Sequence, residues 1–151
     1  MKVKEIMSAP VITISDDETV LAAATIMLRR GIGCVPVVND LGAVIGLVTK
    51  SDFVAREESL PFSTVYAPQL LGHWLKAGVE TIYEIARTVP VKQIMRKDPT
   101  CLTEDDSVRT FLEKIIRDGI THAPVLRDNV LIGIIAQHDL LKMVVHTSGL
   151  D

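Results

Sequence analysis

The sequence predicts a mixed α/β fold, an α+β arrangement in which two β-α-β-β-α repeats pack as a pseudo-twofold pair. Three observations carry this. The stretch from Gly31 to Asp52 returns as Gly119 to Asp139, one residue shorter in its turn, and two copies of one supersecondary unit imply approximate twofold symmetry. Ahead of each glycine, apolar residues recur at the spacing of one helical face. Beyond it, two short apolar runs flank a polar turn, which is the pattern of paired strands.

Val3-Lys-x-Ile6-Met7 opens the first copy and Val91-Lys-x-Ile94-Met95 the second, each followed within four residues by a proline, Pro10 or Pro99. Residues 11–14 and 100–103 are rich in β-branched side chains and read as short strands. Each leads into an acidic pair, Asp16-Asp17 or Asp105-Asp106, where negative charge favours the start of a helix. Val20, Ala23, Ala24, Met27 and Leu28 then match Val108, Phe111, Leu112, Ile115 and Ile116 as amphipathic helices. Thr19 and Ser107 are N-caps by type and place. Gly31 and Gly119 stop the helices.

Residues 35–38 and 43–49, joined by Asn39-Asp40-Leu41-Gly42, form the strand pair of the first copy; residues 123–126 and 130–136, joined through Arg127-Asp128-Asn129, form that of the second. Pro36 and Pro124 lack an N–H and are expected at strand starts or edges. Asp52 and Asp139 are placed to N-cap a last helix, whose apolar stripe in the second copy is Leu140, Met143 and Val144. The chain thus divides into a first repeat at 1–53, an insertion at 54–90 and a second repeat at 91–151. The insertion has Pro61 and Pro68 as breakers and holds four of the six aromatic residues, Phe62, Tyr66, Trp74 and Tyr83. A disordered linker is poor in aromatics, so it is expected to pack. Ile82, Ile85, Ala86 and Val89 mark one helical face in it, and Leu70, Leu71, Trp74 and Leu75 suggest another.

Composition limits the functions open to the chain. Hydrophobic residues make up 48% of 151 and mean hydropathy is +0.31, yet no apolar run approaches the roughly 18 residues that span a bilayer. The apolar excess is expected in a homodimer interface. Sixteen basic and 19 acidic residues are interspersed for a net charge of −3, so there is no basic field for nonspecific nucleic-acid binding. The first residues lack the apolar core of a signal peptide, so a cytoplasmic location is expected. Two cysteines in unlike contexts, Cys34 and Cys101, make neither a disulfide framework nor a zinc site. No nucleophile–base pair, glycine-rich phosphate loop or metal motif appears, so the chain is not expected to be an enzyme and no metal site is predicted.

The order strand, helix, Gly-x-x-x-x-Pro, two strands, Gly-x-x-(Thr/Ser)-x-x-Asp, given twice with Ile-Met openings, resembles a tandem CBS-domain pair. The resemblance covers residues 3–53 and 91–145. It implies two repeats packed about a pseudo-twofold axis through their sheets, two clefts for adenosine-containing ligands, and further association into dimers. By position in that family, Asp52 would receive ribose hydroxyls and Thr49 would contact ribose or phosphate. Asp139 matches in the second copy, but Ala136 replaces the hydroxyl residue. The resemblance lines the Asp52 cleft with Leu47, Gly33, Cys34, Met95 and Ile120, and the other with Met7, Ile32, Thr121, His122 and Ile134 beside Asp139.

The chemistry of these residues agrees with the implied roles. A carboxylate accepts two hydrogen bonds from a vicinal diol, and a hydroxyl and backbone N–H groups suit phosphate. Lys50, Lys92, Arg96 and Lys97 are candidate phosphate partners without an assigned place. Each residue also has a plainer role: Asp52 and Asp139 as helix caps, Met7 and Met95 as core fillers, Cys34 as a small buried hydrophobe. The expected function is a regulatory module sensing an adenine nucleotide or another adenosyl compound such as S-adenosylmethionine, a regulatory ligand rather than a cofactor, and acting on an effector protein the sequence does not name. The alternative is a structural dimerisation module with vestigial clefts.

Overall fold

The structure, a computed structural model, describes residues 1–53, 69–70, 73–74 and 79–148. In chain order, a 3-10 turn at Val3–Glu5 precedes β1 (Ile14–Ser15), α1 (Val20–Arg30), β2 (Cys34–Val38), β3 (Val44–Thr49) and a 3-10 turn at Lys50–Phe53. Then come β4 (Gln69–Leu70), β5 (His73–Trp74), α2 (Val79–Thr88) and a 3-10 turn at Val91–Gln93. The second copy continues with β6 (Arg96–Lys97), β7 (Leu102–Thr103), α3 (Val108–Asp118), β8 (His122–Arg127), β9 (Val130–Ala136), a 3-10 turn at Gln137–Asp139, and α4 (Leu140–Ser148). None of the helices among the described residues is long and apolar enough to cross a membrane. The expectations for Phe62, Tyr66, Leu71, Leu75 and the prolines Pro61 and Pro68 fall outside the described residues.

Both repeat helices begin and end where their sequence signals place them. Thr19 Oγ1 accepts the Ala22 N–H at 3.1 Å and Ser107 Oγ the Thr110 N–H at 3.1 Å, each satisfying a donor that the first helical turn leaves free. Gly31 and Gly119 close the helices in the left-handed conformation, at φ 61° and 65°, where a Cβ would be strained. At the β8–β9 turn, Asp128 and Asn129 both take positive φ, 48° and 64°, the backbone of a type I′ hairpin.

The first strands are shorter than expected. β1 pairs with β2 in parallel over only Ile14↔Val37 and Ser15↔Val38, and β7 with β8 over Leu102↔Val125 and Thr103↔Leu126. This shortness explains a departure at the prolines. Pro36 and Pro124 lie inside β2 and β8, which are inner strands of their sheets, ordered β1-β2-β3-β6 and β7-β8-β9. Each precedes the register at which the short neighbour begins to pair, so the missing N–H leaves no gap in that ladder.

The chain forms two compact units: unit 1 is Met1–Ile12, Gly42–Val44 and Pro99–Asp151, and unit 2 is Thr13–Leu41 and Ile45–Asp98. Each opening segment therefore packs with the helix and sheet of the other sequence repeat. In unit 1, Val3 N donates to Asp106 O at 2.8 Å and Lys4 N to Glu104 O at 3.1 Å; in unit 2, Val91 N donates to Glu18 O at 2.7 Å and Lys92 N to Asp16 O at 3.3 Å. Val3 and Ile6 enter a core with Leu102, Val108, Phe111, Ala123, Val125 and Ile135. Val91 and Ile94 enter the matching core with Ile14, Val20, Ala23, Val35, Val37 and Val48, to which α2 adds Ala86.

The acidic pairs do more than precede helices. Lys2 and Lys4 Nζ lie 2.8 and 2.9 Å from Asp105 Oδ1, and Lys92 Nζ lies 2.9 Å from Asp17 Oδ1, so the carboxylates hold the opening segments. Hydrogen bonds from Lys2 and Lys4, reinforced by their charge, lower the Asp105 carboxyl from 3.8 to about 2. Its folded value lies below its unfolded one, so the stabilisation is complete above the unfolded value and is lost as pH falls from about 4 to about 2. Hydrogen exchange at the Val3 N–H, compared per unit of intrinsic rate at about pH 5 and about pH 2.5, should show reduced protection at the lower value. Equal protection at both would contradict the ion-pair anchoring.

Candidate functional site

The candidate site of unit 2 is built at the end of β3, where the chain leaves the sheet through the Lys50–Phe53 turn. Asp52 turns back along the chain. Its Oδ2 accepts the Thr49 N–H at 2.7 Å and the Thr49 hydroxyl at 3.1 Å, so it braces the strand end; the residues after Phe53 that it is expected to cap lie outside the described residues. The Thr49 hydroxyl also lies 2.8 Å from Ser51 Oγ. Asp52 Oδ1 takes Arg96 Nε at 3.4 Å across an ion pair whose carboxylate side chain is 3% exposed and whose arginine is 61% exposed.

β6 delivers Arg96 to this place. It runs antiparallel to β3 with Leu47 opposite Arg96 and Gly46 opposite Lys97. Met95, just before, lies over Gly46: a Cβ there would overlap the methionine sulfur and come within 3.0 Å of the Arg96 carbonyl. A glycine is therefore required for the opening segment to approach. Gly33 O accepts the Lys50 N–H at 3.3 Å. Cys34 is buried beside the carboxylate, and burial pushes its thiol up to about 12, with Asp52 adding to the rise and Arg96 opposing it. Such a thiol is no thiolate nucleophile.

Unit 1 repeats the plan with different partners. Asp139 Oδ2 accepts the Ala136 N–H at 2.8 Å, again a brace rather than an N-cap. Its Oδ1 pairs with Lys142 Nζ at 2.7 Å and with Ser8 Oγ at 3.5 Å. Lys142 also donates to Ile6 O at 2.8 Å. Ser8 stands where Arg96 stands in unit 2: it pairs with Ile134 through backbone bonds of 2.8 and 3.0 Å. Met7 lies over Gly133 as Met95 lies over Gly46. Among the described residues every buried side-chain nitrogen or oxygen has a partner.

A CBS-domain family model matches residues 3–58 and again 91–146. The chain belongs to the CBS-domain family. The inosine-5′-monophosphate dehydrogenase of Methanocaldococcus jannaschii is 30% identical over 142 residues, which are 93% of this chain and 23% of that protein; the chain therefore spans about a quarter of that relative's length. Among solved structures, the CBS domain of a CBS domain-containing membrane protein from Sphaerobacter thermophilus superposes with a TM-score of 0.72 at 34% identity, covering 94% of this chain and 86% of that one. The CBS domain pair of protein MJ0100, solved in complex with 5′-methylthioadenosine and S-adenosyl-L-methionine, gives a TM-score of 0.70 at 21% identity over 97% of this chain and 98% of that one. The tandem pair and the mixed α+β class expected from the repeats are both found.

Of the residues singled out in sequence, unit 2 brings together Thr49, Asp52, Leu47, Gly33, Cys34 and Met95, while Ile32 packs on its core. Unit 1 brings together Asp139, Met7 and Ile134. Thr121 Oγ1 and His122 Nδ1 lie 2.9 Å apart at the start of β8, and Thr121 O accepts the Gln137 N–H at 3.0 Å from the turn that ends in Asp139. Ile120 packs on the unit 1 core. Sequence reasoning named Arg96 only as one of several unplaced cations, and it missed Ser51, Ser8 and Lys142. The repeat held a signal for Ser8: it occupies in the first CBS repeat the position after Met that Arg96 occupies in the second.

Proposed function

We propose that this chain is a regulatory, ligand-sensing module that binds an adenine nucleotide or another adenosyl compound, with Asp52 as the ribose acceptor. The observation that carries the reading is the state of that carboxylate. Asp52 is held at a strand end by Thr49, yet among the described residues its second oxygen meets only a long ion pair from an exposed arginine. A vicinal diol can take that oxygen with two donors, whereas an aspartate serving only to brace the strand would need no such arrangement. The neighbouring MJ0100 pair, with its two adenosyl ligands, supports the class of compound. Its role is binding and transmission to an effector protein, with no catalytic step assigned, in the cytoplasm. Regulation follows if the ligand binds two arrangements of the assembly with different affinity.

The experiment is a thermal-shift panel of AMP, ADP, ATP, NAD and S-adenosylmethionine. At least one should raise the melting temperature in proportion to the logarithm of its concentration, as linkage requires. A flat response to all five would leave the alternative, a structural dimerisation module with vestigial clefts.

The module is further proposed to be a homodimer. Leu28 and Ile116 occupy equivalent places near the ends of α1 and α3 and are 84% and 85% exposed. On α4, Leu141, Val144 and Val145 add exposed apolar surface. Exposed apolar side chains of this kind on each unit are the surface that association of two copies would cover. Sedimentation should give a dimer at micromolar concentration, and a monomer there would remove this part of the reading.

A further inference from the structure

We propose that Arg96 makes the Asp52 site selective for an adenosyl ligand that carries a phosphate. The inference rests on Asp52 being the ribose acceptor. Arg96 Nε lies 3.4 Å from Asp52 Oδ1 and Nη2 lies 3.4 Å from Ser51 Oγ. Both contacts are long beside the roughly 2.7–2.9 Å of a well-formed charge-assisted bond. The side chain is mostly exposed, so turning it away from the carboxylate requires little desolvation. Its backbone does not follow, because Arg96 is paired with Leu47 in the sheet.

A diol that takes Asp52 Oδ1 displaces the guanidinium but leaves it tethered beside the ribose. A nucleoside without an anion then replaces the ion pair with hydrogen bonds from uncharged hydroxyls and leaves the guanidinium without a counter-charge. A phosphorylated nucleoside instead offers the guanidinium oxygens in the forked geometry it prefers. The same residue therefore penalises the uncharged ligand and rewards the charged one.

The other CBS repeat supplies an internal contrast. At the equivalent position stands Ser8, which has no charge to transfer. The cation at Asp139 is Lys142, which is committed at 2.7 Å to the carboxylate and at 2.8 Å to Ile6 O. Among the described residues, the displaceable cation is therefore placed at the Asp52 site and not at its counterpart.

The test is calorimetric titration of the full chain, carrying Asp139→Asn so that the Asp52 site dominates, with adenosine and with AMP. The parent should bind AMP roughly tenfold to a hundredfold more tightly than adenosine. Arg96→Ser, which copies the other repeat, should bring the two ligands to within about twofold, and Arg96→Lys should retain part of the preference. Melting curves establish that each variant is folded, and Arg96→Gln serves as a second neutral replacement. Equal affinity for adenosine and AMP in the parent, or an undiminished preference in folded Arg96→Ser or Arg96→Gln, would overturn the role of Arg96 and leave Asp52 as ribose acceptor. Absence of binding by both ligands would overturn the ribose reading and this inference with it.

Discussion

Ile6→Ala should destabilise the second repeat's core by about 2–5 kcal/mol, although Ile6 belongs by sequence to the first repeat. Ile6 is almost fully buried, and its neighbours in the core are Leu102, Val108, Phe111, Ala123, Val125 and Ile135. Removing its side chain leaves a cavity among residues fixed on α3, β8 and β9, where relaxation is limited. Phe111→Ala, at the centre of the same core, should cost about 3–5 kcal/mol. Hydrogen exchange separates this from a general loss of stability. Protection should fall in α3, β8 and β9 for both variants, while Ile94→Ala should lower it in α1 and β2. Loss in α1 and β2 on changing Ile6 would contradict the exchange of opening segments between repeats.

That exchange was not legible in the residues themselves, although the family resemblance implied it by setting Met95 at the Asp52 cleft and Met7 beside Asp139, and the reason is physical. The Val-Lys-x-Ile-Met spacing is the same in both openings, so the sequence shows that they are equivalent without showing which core receives which. Both choices bury the same side chains, and only chain geometry decides. Local features were legible because local chemistry determines them. Thr19, Ser107, Gly31 and Gly119 each satisfy or release backbone groups within one turn of themselves, so their type and place sufficed. At the site, the strand-end positions of Thr49 and Asp52 followed from spacing within one motif. The partners of the carboxylates did not. Arg96 lies 44 residues from Asp52, and Ser8 lies 131 from Asp139. The backward hydrogen bonds to Thr49 and Ala136 were missed for a different reason: an aspartate after a strand suits an N-cap and a strand-end brace equally well.

The two CBS repeats should differ in affinity, with an adenosine ligand held more tightly at Asp52 than at Asp139. At Asp139 the ligand must share Oδ1 with Lys142, whose ammonium is 2.7 Å away and held in place by Ile6 O. At Asp52, among the described residues, it meets only the 3.4 Å contact of Arg96. The Thr49 hydroxyl adds a second difference, since it helps fix the Asp52 carboxylate while Ala136 offers nothing equivalent. A hydrogen bond to a charged group contributes about 1.5–3 kcal/mol. One such bond kept at Asp52 and lost at Asp139 separates the sites roughly tenfold to a hundredfold.

The most direct measurement is calorimetric titration of wild type, Asp52→Asn and Asp139→Asn with AMP. Asparagine keeps an oxygen for the Thr49 or Ala136 N–H and removes the charge and one acceptor for the diol, so strand-end bracing and ligand binding are read apart. Asp52→Asn should abolish the tighter binding event while Asp139→Asn leaves it within a few-fold of wild type. Loss of the tighter event in Asp139→Asn with its retention in Asp52→Asn would contradict the account.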